Sequence, residues 1–531
     1  MTVLYRHPRI WTGDPTSPWA TALLTDRERL VAVGDAAVSR AQTAHARVVD
    51  LPGVLVIPGL HDAHIHTANL ARDLVSVDLR PARSMDQALA MVHEHAAAAP
   101  VGIWLFGGRW DANKWSGRTI PDRHVLDRVS HDHPVALPSI DGHTMWANTI
   151  ALKLAGITSS TPDPVGGRIE RDETGEPTGI LREQASEPLR DIQAGDASGA
   201  LEPLLLHCQE ELLSVGLTSV TDIDGEDART AYLAMRESGR LRLRVTKAIP
   251  LVALDRAIAE GRRTGQGDDW MRVGPVKLFS DGALGSHTSY MSHEFPGDAG
   301  NHGMARMSVD EVAELTRKAV AAGIGVATHA IGDQANATVL DGYERVLRET
   351  GTDLRLRIEH TQHLKPADVG RIARLGVIAS MQPTHCNSDI DLADELLAGQ
   401  DLVSYGWKSL LDAGAVLALG SDSPVEEPNP FHGLYAAITR QRADGTPVGG
   451  WQPHERLSMT QALHAHTVGS AYAAGDEGRK GVLQPGMLAD FVAVDTDILD
   501  EQVLAHEPVR VHDAQALATV VGGEIRWQAT S

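Results

Sequence analysis

The sequence predicts an α/β fold in which eight parallel strands close into a (β/α)8 barrel. Three observations carry this expectation. Through the middle of the chain, short apolar runs alternate with longer helical patterns, the signature of βαβ units on a parallel sheet. The runs fall at 54–60, 217–222, 241–248, 273–279, 324–328, 355–359, 376–381 and 416–421, and eight is the number that closes a barrel. Residues able to hold a metal or move a proton sit at the C-terminal ends of these runs, where a barrel gathers its chemistry.

The first run sets the pattern. Val54-Leu55-Val56-Ile57 lies between Gly53 and Pro58 and reads as a buried strand entering a turn, followed by Gly59-Leu60-His61-Asp62-Ala63-His64-Ile65-His66. In extended backbone, residues two apart share a face, so His64 and His66 can aim both imidazoles at one point. In a chain with 25 histidines such a pair is by itself equally readable as polar turn residues, and the later runs decide between the two. The fourth carries Lys277 inside an apolar stretch and then enters Ser280-Asp281-Gly282. Burying an ammonium is costly. Lys277 therefore either pairs with Asp281 or Asp422, or is carbamylated, an anion able to bridge two metal ions. The fifth run ends in His329, the sixth in His360 and the eighth in Ser421-Asp422-Ser423-Pro424, where Asp422 also suits a helix N-cap. Gln382-Pro383-Thr384-His385 at the end of the seventh makes His385 a candidate substrate contact. Cys386 beside it lacks a His-Asp partner pattern and reads as structural. Asp62, Asp281 and Asp333 are expected to brace loops or orient histidines rather than bind metal.

Helices join the runs. From Val309 to Ala322, Val312, Leu315, Ala319 and Ala322 fall on one face, with Ser308 as N-cap and Glu311 three residues on. The gap between the first two runs is too long for one crossover, so about 70–205 is expected to be an insertion covering the barrel mouth, with strands of its own at Trp104-Leu105-Phe106 and Val135-Ala136-Leu137. It supplies His143 and Trp146 as candidate substrate-binding residues. His143 would polarise a carbonyl or orient the substrate, or else pack within the lid. Trp110, Trp115 and Trp146 would line an aromatic pocket or form the insertion's core. Both chain ends are β-rich: Thr21–Leu24 and Leu30–Gly34 flank a charged turn, and 486–494 and 518–527 have the same character.

Composition excludes several classes. With 42% apolar and 22% charged residues over 531 positions, the chain is an ordinary globular protein. Its net charge of −22 opposes binding to nucleic acid or an anionic membrane. It opens without an apolar leader and has no apolar run of the ~18 residues a spanning helix needs. Cys208 and Cys386 are too few for a disulfide framework. A cytoplasmic location is expected, with a small-molecule substrate and a homodimer as the ordinary oligomeric prior.

The ordered set His64-x-His66, Lys277, His329, His360, Asp422 resembles the amidohydrolase superfamily. The longer strings, Lys277-Leu278-Phe279-Ser280-Asp281-Gly282-Ala283-Leu284-Gly285-Ser286, His329-Ala330-Ile331-Gly332-Asp333, Arg357-Ile358-Glu359-His360 and Leu419-Gly420-Ser421-Asp422-Ser423-Pro424-Val425, are similar to its YtcJ-like branch, amidohydrolase family 3, which includes N-substituted formamide deformylase. The resemblance implies a distorted (β/α)8 TIM barrel over 54–479 and a small β-sandwich built from 1–53 and 480–531. It implies one or two divalent ions, most often zinc. His64 and His66 with Asp422 would hold one, His329 and His360 a second, and carbamylated Lys277 would bridge them. Metal-bound hydroxide would then attack an amide or formamide C–N bond, with Asp422 as base. The alternatives are a metal-binding regulatory or binding protein on the same barrel, or a hydrolase or decarboxylase acting on another bond type.

Overall fold

Residues 2–530 are described by a computed structural model, except 113, 114, 116–120, 140–143 and 200, with backbone alone over 194–199. His143 lies outside the described residues. The chain divides into two units, one of 1–67, 209–229 and 235–531, the other of 68–208 and 230–234.

The larger unit contains the barrel. Its strands are β1 (Leu60–Ile65), β2 (Leu217–Asp222), β3 (Arg244–Pro250), β4 (Met271–Phe279), β5 (Val326–Ala330), β6 (Leu356–His360), β7 (Ile378–Met381) and β8 (Leu417–Leu419). They pair in parallel in sequence order, leaving β1 and β8 at the two ends of the hydrogen-bonded path. Seven of the eight runs therefore become barrel strands close to where the apolar pattern puts them.

The first run is a correction. Leu55–Pro58 belongs to a different sheet, pairing antiparallel with Phe491–Val494, and the barrel strand begins only at Leu60. Gly59 is the joint. A Cβ there would sit 2.3 Å from Thr218 Oγ1 on β2, so the chain can pass from one sheet to the other only where that side chain is missing. His64 is accordingly within a strand, and His66 just beyond its end.

Side chains and turns, rather than a regular ladder, close the seam between β8 and β1. Asp422 N–H donates to the His64 carbonyl at 2.7 Å and His66 N–H to the Ser423 carbonyl at 2.9 Å. The Asp62 carboxylate accepts from Ser421 Oγ at 2.6 Å and from the His64 amide at 3.0 Å. Gly420 makes this approach possible, since a Cβ there would lie 2.4 Å from Asp62 Oδ1. Burial pushes the Asp62 carboxyl up to about 7 against these donors. Asp62 is thus a brace, as expected.

Both chain ends join one eight-stranded sheet. Its path runs from Glu524–Gln528 through Ala516–Val521, Phe491–Val494, Leu55–Pro58, Thr2–Trp11 and Trp19–Asp26 to Arg29–Val33, with Arg47–Asp50 paired to Thr2–Trp11. Tyr5 and Phe491 pack edge to face with centroids 5.1 Å apart in its core. A buried bidentate pair, Arg244 on β3 with Asp490 at 2.6 and 2.9 Å, ties this sheet to the barrel. The helix Val309–Ala321 has the expected capping box at Ser308 and Glu311.

In the smaller unit, Gly167–Arg171, Pro177–Glu183, Thr144–Ala147 and Ala136–Pro138 form an antiparallel sheet. Trp110, Trp115 and Trp146 are buried together with centroids 6.0–6.1 Å apart. Trp146 is fully buried and its Nε1 donates to the Asp122 carbonyl. This position in the core of the unit, rather than on an open surface, is where the structure places the candidate substrate contact. No helix among the described residues is long and apolar enough to cross a membrane.

Candidate metal centre

The ends of the barrel strands bring His64, His66, Lys277, His329, His360, His385 and Asp422 around one cavity of about 360 Å³. Two triplets of ligand atoms lie within 4.8 Å of one another: His64, His66 and Asp422, and His360, His385 and Asp422. Asp422 belongs to both. Its backbone is left-handed, at φ 60°, as is that of His360, at φ 73°. Such backbone in non-glycine residues costs on the order of 1–3 kcal/mol and persists where the surroundings enforce it. The seam hydrogen bonds around Asp422 do so.

The first triplet is held from behind. His64 Nδ1 is 2.6 Å from Glu359 and His66 Nδ1 is 2.8 Å from Asp224. Each ring thereby keeps its proton on Nδ1 and turns a free Nε2 lone pair toward Asp422, at 3.4 and 3.5 Å. A carboxylate behind a histidine is the usual device for orienting a metal ligand. Burial, together with Lys277, pushes His64 down to about 4, so it stays a neutral ligand. Burial also opposes the His66 cation, but the Asp224 carboxylate raises this ring above its ordinary value. Glu359 is buried beside Arg357, which contacts it at 2.8 Å. Burial would raise the glutamate, yet Arg357 and His64 hold it well below the usual carboxylate range.

The other side of the mouth is less committed. Lys277 is 1% exposed, and its Nζ has no hydrogen-bond partner among the described residues; it lies 4.8 Å from the centroid of the Phe279 ring. Burial pushes it down to about 8. Neither expected ion pair, with Asp281 or with Asp422, is formed. Asp281 instead accepts the Tyr290, Ile331 and Gly332 amides, and Asp333 accepts the Ser292 amide, so both brace loops. His329 turns Nε2 to the Gly282 carbonyl at 3.0 Å and to Asp281 at 3.2 Å, and it is in neither triplet. His360 presents Nδ1 to Gln382 at 2.9 Å, and burial with its histidine neighbours holds it well below its ordinary value. His385 stacks on His360 at 6.0 Å and leaves Nε2 without a hydrogen bond, 3.7 Å from Asp422 Oδ2. Its place beside Asp422 makes it a ligand candidate as well as a substrate contact. Burial pushes Cys386 up to about 12, which suits the structural role expected of it.

A divalent cation fits this donor set. Imidazoles and a carboxylate converge on a small volume, and among the described residues buried Lys277 Nζ and His385 Nε2 make no hydrogen bond. Sequence reasoning missed Glu359, Asp224 and Gln382 as orienting groups. One signal was legible: Arg357 and Glu359, two apart in an apolar strand, share a face, and charges so placed need each other.

Comparison with known proteins agrees with the geometry. The chain is 34% identical to Protein LONG AFTER FAR-RED 3 of Arabidopsis thaliana, covering 98% of this chain and 91% of the relative. It is 31% identical to the N-substituted formamide deformylase of Arthrobacter pascens, over 98% and 97%. The crystal structure of an uncharacterized metal-dependent hydrolase from Pyrococcus furiosus is similar at a TM-score of 0.73 and 29% identity, over 94% of this chain and 100% of that one. The amidohydrolase family model matches residues 47–526, a span that takes in all eight barrel strands and every candidate ligand around the cavity, and on that match this chain belongs to the amidohydrolase family.

Proposed function

We propose that the protein is a metal-dependent hydrolase cleaving a C–N bond, of amide or formamide type, in a small molecule. The observation that carries the reading is the pair His64 and His66, each held by a buried carboxylate and each directing Nε2 at Asp422. The similarity to a formamide deformylase supports the bond type. His64, His66 and Asp422 would hold one divalent ion. His360 with His329 or His385 would hold a second, and Lys277, if carbamylated, would bridge the two. Zinc suits imidazole and carboxylate ligands. When bound, such an ion polarises a carbonyl and acidifies water to a pKa near ~7.

The chain's own residues do the rest. Asp422 accepts the proton of the attacking water and returns it to the amine nitrogen as the C–N bond breaks. Glu359 and Asp224 keep His64 and His66 in one tautomer throughout. His143 polarises the substrate carbonyl or orients it. Burial lowers Lys277 to about 8, which raises the share of free amine able to add to carbon dioxide. A cytoplasmic homodimer fits the two free cysteines and the ordinary prior for enzymes of this kind.

The test is metal content of wild type and Lys277→Ala, followed by hydrolysis of N-formyl and N-acyl amines. About two ions per chain, fewer in the variant, and amine release would support the reading. A metal-loaded protein that cleaves no acyl amine would favour the binding or regulatory alternative.

A further inference from the structure

The cavity at the metal centre has a neighbour. A second cavity, of about 420 Å³, shares Ser388 and Glu426 with it and extends to Glu427, His432, Arg442 and His512. Ser388 Oγ donates to Glu426 Oε1 at 2.6 Å. That contact links the helix Pro383–Leu396 to the loop after β8 at the two residues that line both cavities. Together they offer more room than a formyl or acetyl group and a short amine would fill.

The lining of this combined space is matched to one charge. Asp389 accepts the Tyr405 hydroxyl and Glu426 the Ser388 hydroxyl, and among the described residues neither forms an ion pair with a lysine or arginine. Gln362, 4% exposed in the wall of the first cavity, leaves Oε1 without a partner. Among the described residues Glu427 pairs with the His432 imidazole, at 3.3 Å, and burial pushes that ring below its ordinary value. The one guanidinium, Arg442, is already engaged by Asp391 at 2.8 Å. Acceptors and carboxylates thus face the second cavity and the residues it shares with the first, where Arg442 is paired with Asp391, while Lys277 lies apart, at the metal end of the first cavity. An anionic group would be repelled, and a protonated amine would meet the acceptors it needs.

We propose that the second cavity is a subsite for the leaving-amine portion of the substrate and that this portion ends in a positive charge, so that the preferred substrates are N-acylated diamines or related acyl compounds with a free cationic end. The proposal rests on the C–N hydrolase reading above and adds the substrate class. Glu426 and Glu427 are the specificity-determining pair.

The test compares kcat/KM of the zinc-loaded full chain for N-formyl-1,4-diaminobutane, its uncharged isostere N-formylpentylamine, and the anionic N-formyl-5-aminopentanoate. The diamine derivative is expected to exceed the neutral compound about 10- to 100-fold, the range of one charge-assisted hydrogen bond, with the anion poorest. In the Glu426→Gln/Glu427→Gln double variant the cation-to-neutral ratio should fall towards one while turnover of the neutral compound persists. Equal use of cation and neutral compound by wild type, or an unchanged ratio in the variant, overturns the subsite and leaves the amide reading standing. If no acyl amine is hydrolysed, the amide reading fails instead, and calorimetric titration with 1,4-diaminobutane decides the subsite. Saturable binding weakened in the double variant retains it; absence of binding removes it.

Discussion

The two sides of the barrel mouth are built differently. At the seam between β8 and β1, His64, His66 and Asp422 are fixed from behind by Glu359, Asp224 and backbone hydrogen bonds. Across the cavity, at the ends of β4 and β5, Lys277 Nζ makes no hydrogen bond among the described residues and His329 is turned to Asp281. The first side is preorganised by protein alone. The second is left for a ligand to complete. In a barrel whose sheet does not pair fully at the seam, the residues that close the seam are the ones that must be rigid, and the candidate metal ligands His64, His66 and Asp422 inherit that rigidity.

Substitutions can break this contrast from either side. The largest effect is expected for Asp422→Asn, which keeps the shape and removes the proton acceptor shared by both triplets. kcat for acyl-amine hydrolysis should fall about 10²- to 10⁴-fold, and a variant within threefold or so of wild type would mean another base. Next is Glu359→Gln. It strips the charge that offsets buried Arg357 and holds His64, so urea unfolding should show a loss of about 3–5 kcal/mol. An unchanged midpoint would show that the seam side is not braced through this pair.

Lys277→Met probes the uncommitted side through pH. The Lys277 amine is depressed from 10.5 to about 8 in the folded protein. Between these values the unfolded chain binds more protons than the folded one, so stability of the metal-free protein rises with pH across that window and the penalty is fullest below about 8. Removing the amine should flatten the rise by on the order of 3 kcal/mol. Parallel stability curves for the variant and wild type would count against a buried, unpartnered lysine. The smallest effect is expected from Asp224→Asn, because His66 is partly exposed where His64 is not. Competition with a chelator should show metal affinity down about 10- to 100-fold, with little change in folding.

Much of this was readable in advance, for identifiable reasons. A strand buried on both faces is a largely apolar run, so 273–279 and 416–421 announce β4 and β8 without knowledge of their neighbours. The capping box at Ser308 and Glu311 is local chemistry and needs no tertiary context. The division of 54–60 was not readable, because Leu55–Pro58 is as apolar as a barrel strand whereas Leu60–Ile65 carries His61, Asp62 and His64, and only their partners, Phe491–Val494 and β2, show which of the two enters the barrel. Nor was the fate of Trp146, since a tryptophan lining a pocket and one filling a core obey the same composition.

The sequence by itself determined the barrel, the placing of His64, His66, Lys277, His329, His360 and Asp422 at strand ends, and the family, because strand period and order along the chain are local properties. Only the tertiary structure decided which nitrogen of each histidine is free. That choice depends on carboxylates 295 and 158 residues away in sequence, and on a seam whose closure brings the end of the eighth strand against the first. Pairings over such distances follow from how the sheet curls, which no stretch of sequence contains.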